Sequence, residues 1–183
     1  MSSPEAFDAA TNEQWEYDTA RFHGGEILGA EDYDLYRPGG YHPVHLGDLY
    51  DNDRYRVVYK LGAGGYSTVW LAHDAVDSKW AALKIVVAEM STMVEKNVSR
   101  CKDLLGSAAD DGMLVMHLRH FSLQGPNGSH LCLVMPFCGP SCDTLSFARR
   151  TRLRPWLARK VACQAAEALH VLHSHGICHG GKL

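Results

Sequence analysis

The chain has 183 residues, 46% of them hydrophobic, enough for one domain or a little more with a real core. No run of about 18 apolar residues occurs, which excludes a membrane-spanning helix, and Met1-Ser2-Ser3-Pro4-Glu5 has neither the basic nor the apolar region of a secretory signal. The net charge of −3 is unevenly spread: residues 1–53 hold twelve Asp or Glu against two Arg, whereas residues 54–183 hold sixteen Lys or Arg against nine acids. An intracellular protein, cytoplasmic and/or nuclear, is expected. The six cysteines (Cys101, Cys132, Cys138, Cys142, Cys163 and Cys178) form no Cys-x-x-Cys and sit mostly in apolar stretches, where a reduced thiol packs as a small hydrophobe.

In chain order, residues 1–32 are acidic and polar with Trp15, Tyr17 and Phe22 scattered among them, the composition of a flexible leader. Residues 33–54 form a lead-in, in which Tyr36-Arg37-Pro38-Gly39-Gly40-Tyr41-His42-Pro43 packs Pro and Gly between aromatics and predicts ordered turns without a long helix or strand. Arg54 to Leu61 alternates as a first strand. Then comes the stretch the chain is organised around, Leu61-Gly62-Ala63-Gly64-Gly65-Tyr66-Ser67-Thr68-Val69-Trp70-Leu71-Ala72. Glycines one residue apart let a backbone pass close over a polyphosphate, where a Cβ would collide. Two unrelated folds use this spacing. A dinucleotide-binding unit continues into a helix, whereas a kinase loop turns back into a second strand. The β-branched and aromatic run Ser67 to Leu71 predicts a strand, which argues against a dinucleotide-dependent oxidoreductase.

Asp74 to Ser78 predicts a turn, and Trp80 to Val87 a third strand that carries Lys84 inside an apolar run. A lysine there is costly unless its tip reaches solvent or an anion such as a nucleotide phosphate, and beside this glycine loop the anion is the better reading. From Met90 to Leu105 no Gly or Pro occurs, and Val94, Val98, Cys101 and Leu105 recur at helical spacing. Met113 to Ser122 and His130 to Met135 read as strands about the turn Gln124-Gly125-Pro126-Asn127-Gly128. The order β-β-β-α-β-β predicts an α+β lobe, a five-stranded antiparallel sheet with one helix, over residues 55–135. In residues 136–183, Phe147 to Lys160 is basic and reads as a solvated face, so no direct nucleic-acid contact is expected. Pro155 starts a helix with Trp156, Val161, Ala165, Leu169 and Leu172 on its apolar side. His170, His173, His175 and His179 lack a Cys or carboxylate at ligand spacing, which speaks against a metal.

Gly39-Gly40-Tyr41-His42-Pro43-Val44, Ser67-Thr68-Val69-Trp70-Leu71-Ala72 with Ser67 in place of a third glycine, and Gly125-Pro126-Asn127-Gly128-Ser129-His130-Leu131-Cys132-Leu133-Val134 together resemble the SR-protein kinases, especially their fungal relatives, over roughly residues 33–180. The resemblance implies a protein-kinase-like N-terminal lobe, a hinge and the first helices of a C-terminal lobe. It implies ATP as cofactor, with Mg2+, and Arg-Ser-rich splicing factors as protein substrates. It makes Leu61, Gly62, Ala63, Gly64, Gly65, Tyr66, Ser67 and Thr68 a cofactor-binding stretch in which Gly62, Gly64 and the loop amides cover the ATP phosphates, with Val69 and Ala82 about the adenine and Lys84 on the α- and β-phosphates. Met135 is the implied gatekeeper, and the carbonyl of Pro136 and the backbone of Cys138 the implied hinge contacts. A proline keeps its acceptor there and loses only its N–H.

Two sites leave alternatives open. Glu95 is either the helix glutamate that pairs with Lys84 or the return partner of a capping box, Thr92-Met93-Val94-Glu95, with Ser99 and Arg100 standing where the family's glutamate is usually sought. At the other end, His179-Gly180-Gly181 reads into a catalytic loop of the form His, any residue, Asp, and Gly181 stands where the Asp belongs. Glycine neither orients a substrate hydroxyl nor accepts its proton, so this polypeptide is expected to be catalytically incompetent. It is then a fragment or isoform of an otherwise active kinase, or a dedicated non-catalytic, nucleotide-binding scaffold. The Mg2+ ligands of the family are expected to be absent, and an exposed helix from Pro155 is expected to lead to self-association or chaperone binding.

Overall fold

The computed structural model describes residues 31–109, 112–139 and 152–179. One antiparallel sheet dominates it, built from β1 (Leu49–Tyr50), β2 (Tyr55–Gly64), β3 (Ser67–Asp74), β4 (Lys79–Val86), β5 (Arg119–Gly125) and β6 (Gly128–Pro136). The strand order is β1-β2-β3-β4-β6-β5, with α1 (Ala88–Leu105) between β4 and β5, and α2 (Pro155–Ser174) after the sheet. The sheet therefore has six strands where five were expected. The extra one is the two-residue β1 at the end of the lead-in, whose Leu49 and Tyr50 pair with Arg56 and Tyr55.

Turn chemistry sets the register. Gly65 and Tyr66 close the β2–β3 hairpin beyond the Gly64–Ser67 pair, and Pro126 and Asn127 close the β5–β6 hairpin beyond Gly125–Gly128. The β3–β4 turn is held by Asp74, whose Oδ1 accepts from the N–H groups of Val76 and Asp77 at 3.0 and 3.2 Å. Two register shifts in β2, between Val57 and Tyr59 and between Lys60 and Gly62, bend the strand just before its glycines.

Alternation along the strands makes two packed faces. On one, Trp70, Ala72, Ala81, Leu83, Ile85, Cys132 and Val134 are buried, with Tyr50 and Val44 of the lead-in packed against them. On the other, Val86, Leu131 and Leu133 meet Met90, Val94 and Val98 of α1, so the helical spacing read from the sequence does mark the packed side.

Two local expectations fail. The helix begins at Ala88, which puts Thr92 in its second turn, so Thr92 and Glu95 form no capping box. Instead the carbonyls of Gly40 and Gly39 accept the N–H groups of Ala88 and Glu89 at 3.1 and 2.9 Å, satisfying two donors that a helix start leaves free. Residues 113–118 are not strand, and β5 starts only at Arg119. Arg119 pairs with Val134, so two residues earlier the register would set His117 against Pro136, which has no N–H to give to a ladder.

Candidate functional site

The register assembles one row of side chains after another. Val69 lies opposite Lys84 and Lys84 opposite Leu133; in the next row Leu71 lies opposite Ala82 and Ala82 opposite Met135. Residues directly opposite each other, and residues two apart on a strand, share a face. Val69, Ala82, Lys84 and Met135 are thereby brought onto one face, the face that α1 covers further along. Thr68 faces the other way: it is 1% exposed, and its hydroxyl accepts the Trp70 indole N–H at 2.9 Å.

The glycine stretch borders this face through the Gly62–Val69 pair. A Cβ added at Gly62, Gly64 or Gly65 would meet no atom within 4 Å, and none of the three has a positive φ. The fold itself therefore does not require glycine at these positions, in contrast to Gly40, where a Cβ would lie 1.8 Å from the Leu35 carbonyl oxygen. Leu61 and Tyr66 are exposed, Ala63 is half-buried and Ser67 is buried.

Lys84 is exposed and makes no ion pair among the described residues. Glu95 does not meet it. Its carboxylate, on a side chain 54% exposed, lies 3.7 Å from His120 Nε2. Both alternatives drawn for Glu95 from the sequence are thus absent, the lysine pair as well as the capping box. At the strand end, Pro136 pairs with Ala81, and its carbonyl lies 3.6 Å from the thiol of exposed Cys138. His179 is exposed at the end of the described residues, and Gly181 lies outside them. Of the other histidines, His175 places Nδ1 2.8 Å from the Val171 carbonyl oxygen.

Sequence reasoning missed Tyr41. This lead-in residue is 2% exposed and donates its hydroxyl to the Gly64 carbonyl at 2.9 Å. Burial first, then Glu31 and Asp32, raise its pKa, so the hydroxyl keeps its proton and remains a donor. The neighbouring Glu31 accepts from Tyr36 at 2.6 Å and pairs with Lys60. Burial alone would raise the Glu31 carboxyl, but the bonds from Lys60 and Tyr36 outweigh it and hold the group below its usual range. The glycine pair before Tyr41 was the available signal that this segment is built rather than loose.

A family model for the protein kinase domain matches residues 55–180, more than half of the chain. The serine/threonine-protein kinase spk-1 of Caenorhabditis elegans is 39% identical over 171 residues, covering 85% of this chain and 17% of that protein. The serine/threonine-protein kinase SKY1 of Saccharomyces cerevisiae is 36% identical over 155 residues, covering 79% and 21%. SRSF protein kinase 3 of Homo sapiens is 37% identical over 123 residues, covering 62% and 22%. The chain thus spans only about a fifth of the length of these relatives. On the matched domain and these relatives, the chain belongs to the protein kinase family, in its SR-protein kinase branch.

Proposed function

We propose that the face bearing Val69, Ala82, Lys84 and Met135 binds ATP, as the nucleotide-holding lobe of a serine/threonine kinase acting on Arg-Ser-rich proteins. The observation that carries this reading is the pairing of Gly62, Gly64 and Gly65, which the fold does not demand, with a Lys84 on the bordering face that has no ion pair among the described residues. Glycines without a steric or φ requirement make sense where a ligand needs the backbone close, and a lone ammonium on an apolar face suits phosphate oxygens. Val69 and Ala82 supply flat apolar contact for the base, Met135 limits depth behind it, and the carbonyl of Pro136 and the backbone of Cys138 offer the polar edge.

The donor set of this face does not suit Mg2+, which takes oxygen ligands: no carboxylate stands in the rows of Val69, Lys84 and Leu133 or of Leu71, Ala82 and Met135. With glycine at position 181, the chain offers no carboxylate where the family pattern sets its catalytic Asp, so the reading is nucleotide binding without phosphotransfer. The same reading places the protein in the cytoplasm and/or nucleus. No residue of α2 is buried, which supports self-association, or capture by a chaperone, through that helix.

The test is titration of the chain with a fluorescent ATP analogue, parent against Lys84→Ala, beside transfer of labelled phosphate to an Arg-Ser peptide. Saturable binding that Lys84→Ala weakens, without transfer, is the expected result. Equal affinity of the two proteins removes Lys84 from the site, and transfer by the parent overturns the non-catalytic reading.

A further inference from the structure

The contacts of the lead-in converge on one short segment. Gly39 donates its N–H to the Asn127 carbonyl at 2.8 Å, and Asn127 Nδ2 donates back to the Tyr41 carbonyl at 2.6 Å, which ties the segment to the β5–β6 turn. The carbonyls of Gly39 and Gly40 hold the start of α1, and the Tyr41 hydroxyl holds Gly64. Close by, the Val87 N–H donates to the Tyr66 carbonyl at 3.0 Å, so the residue just before α1 grips the other side of the glycine turn. Gly39 has a φ of +88° and Gly40 has no room for a Cβ, so the path of the segment is fixed by its own glycines.

We propose that Tyr41 is a positioning residue for the nucleotide loop: by holding the Gly64 carbonyl it aims the Gly65 N–H and locks the glycine turn to the start of α1. This rests on the reading of the site as a nucleotide site. The peptide unit is planar and trans, so the N–H of Gly65 points opposite to the C=O of Gly64. Fixing that carbonyl on the buried tyrosine turns the amide away from Tyr41, and the Gly65 N–H takes no backbone acceptor among the described residues. A loop amide held ready in this way is the donor a phosphate oxygen needs. Without Tyr41 the same peptide keeps only the closing Gly64–Ser67 pair of the hairpin, and the open space around Gly64 and Gly65 does nothing to restrain its tilt.

The experiment uses the full chain and Tyr41→Phe, which keeps the ring and loses only the hydroxyl; Tyr41→Leu shows what loss of the ring does. Hydrogen exchange of residues 64–67 and of the first turn of α1 is measured without nucleotide, and affinity for a fluorescent ATP analogue is measured separately. Losing one hydrogen bond of ordinary worth is expected to speed exchange in the glycine turn and to weaken the analogue by about fivefold, with the melting temperature of Tyr41→Phe close to the parent's. Unchanged exchange in Tyr41→Phe overturns the brace whatever the nucleotide does. Faster exchange with unchanged affinity overturns the positioning role. If the parent itself does not bind the analogue, the nucleotide reading fails, and the positioning of a nucleotide fails with it.

Discussion

His42 of the lead-in and His130 of β6 meet edge to face with ring centroids 5.0 Å apart, both shut away from solvent. His130 Nδ1 lies 3.0 Å from the Val86 carbonyl oxygen, which makes it the protonated nitrogen and leaves Nε2 without a partner; His42 Nδ1 has none either. A charge on either ring would sit beside the other with no acceptor to receive the new proton. Burial first, and His130 second, push His42 down to about 4 against a small opposing pull from Asp48, and burial also lowers His130 despite its bond to Val86.

The sign of the pH effect follows. Between 6.5 and about 4 the unfolded chain takes up a proton at His42 that the folded chain refuses, so folding weakens as pH falls through that window. The loss attributable to His42 is at most on the order of 3 kcal/mol, since each tenfold drop in proton affinity is worth about 1.4 kcal/mol. The melting temperature is expected to drop between pH 7 and pH 4.5, and to drop less in His42→Phe. Parallel pH profiles for parent and variant would falsify the assignment to His42.

Asp74 carries a separate prediction. Arg54 grips it with Nε and Nη2 at 2.9 and 2.7 Å, and its Oδ1 also takes the two N–H groups of the β3–β4 turn. The Arg54 bond, against the opposing effect of burial, depresses the carboxyl to about 2, so its contribution to folding is present above the ordinary carboxylate range and is lost only as pH falls towards 2. This lies below the histidine window and does not confound it. Asp74→Ala leaves the two turn amides without their acceptor and Arg54 with Asp77 alone, at 2.8 Å, and is expected to cost about 2 kcal/mol in urea unfolding. A cost within error of zero would mean that water replaces the carboxylate in full.

How much of this was legible in the chain depended on whether the cause was local. Val69, Ala82 and Lys84 could be placed together because strand period and hairpin turns are local, and Val94 with Val98 marked the packed side of α1 by spacing alone. Leu49–Tyr50 could not be read, since two residues show no period. The pattern Thr92-x-x-Glu95 looked like a helix start only because the true start at Ala88 is capped by carbonyls from Gly39 and Gly40, far away in the chain. Met113 to Leu118 is apolar enough for a strand, yet Met113, Val115 and Leu118 are exposed because the partner register runs out at Pro136.

Lys84 and Glu95 separate binding from stability. Lys84 is exposed and unpaired among the described residues, so Lys84→Ala is expected to leave the urea midpoint within about 0.5 kcal/mol of the parent while lowering nucleotide affinity at least tenfold. The one ion pair of Glu95 among the described residues is with His120, at 3.7 Å and well exposed, so Glu95→Gln is expected to change neither quantity. A loss of nucleotide affinity in Glu95→Gln equal to that in Lys84→Ala would show that the two residues meet when nucleotide is bound.

The last prediction concerns α2. Its sequence starts well, with Pro155 at the first helical position; Leu157, Val161, Ala168 and Leu172 form one half-buried stripe, and Trp156 and Leu169 flank it in the open. No residue of the helix is buried; Trp156 is 63% and Leu169 40% exposed. Apolar side chains left open on a helix favour association, and under the proposed reading a second copy of the chain covers them. Light scattering is expected to give a mass above 20.2 kDa that rises with concentration, and to return towards 20.2 kDa in Trp156→Glu/Leu169→Glu. Because the sheet does not depend on these side chains, the double variant should keep the parent's exchange protection in β3, β4 and β6. A parent that scatters as a monomer at every concentration, without binding a dye for apolar surface, rules out α2 as an association surface.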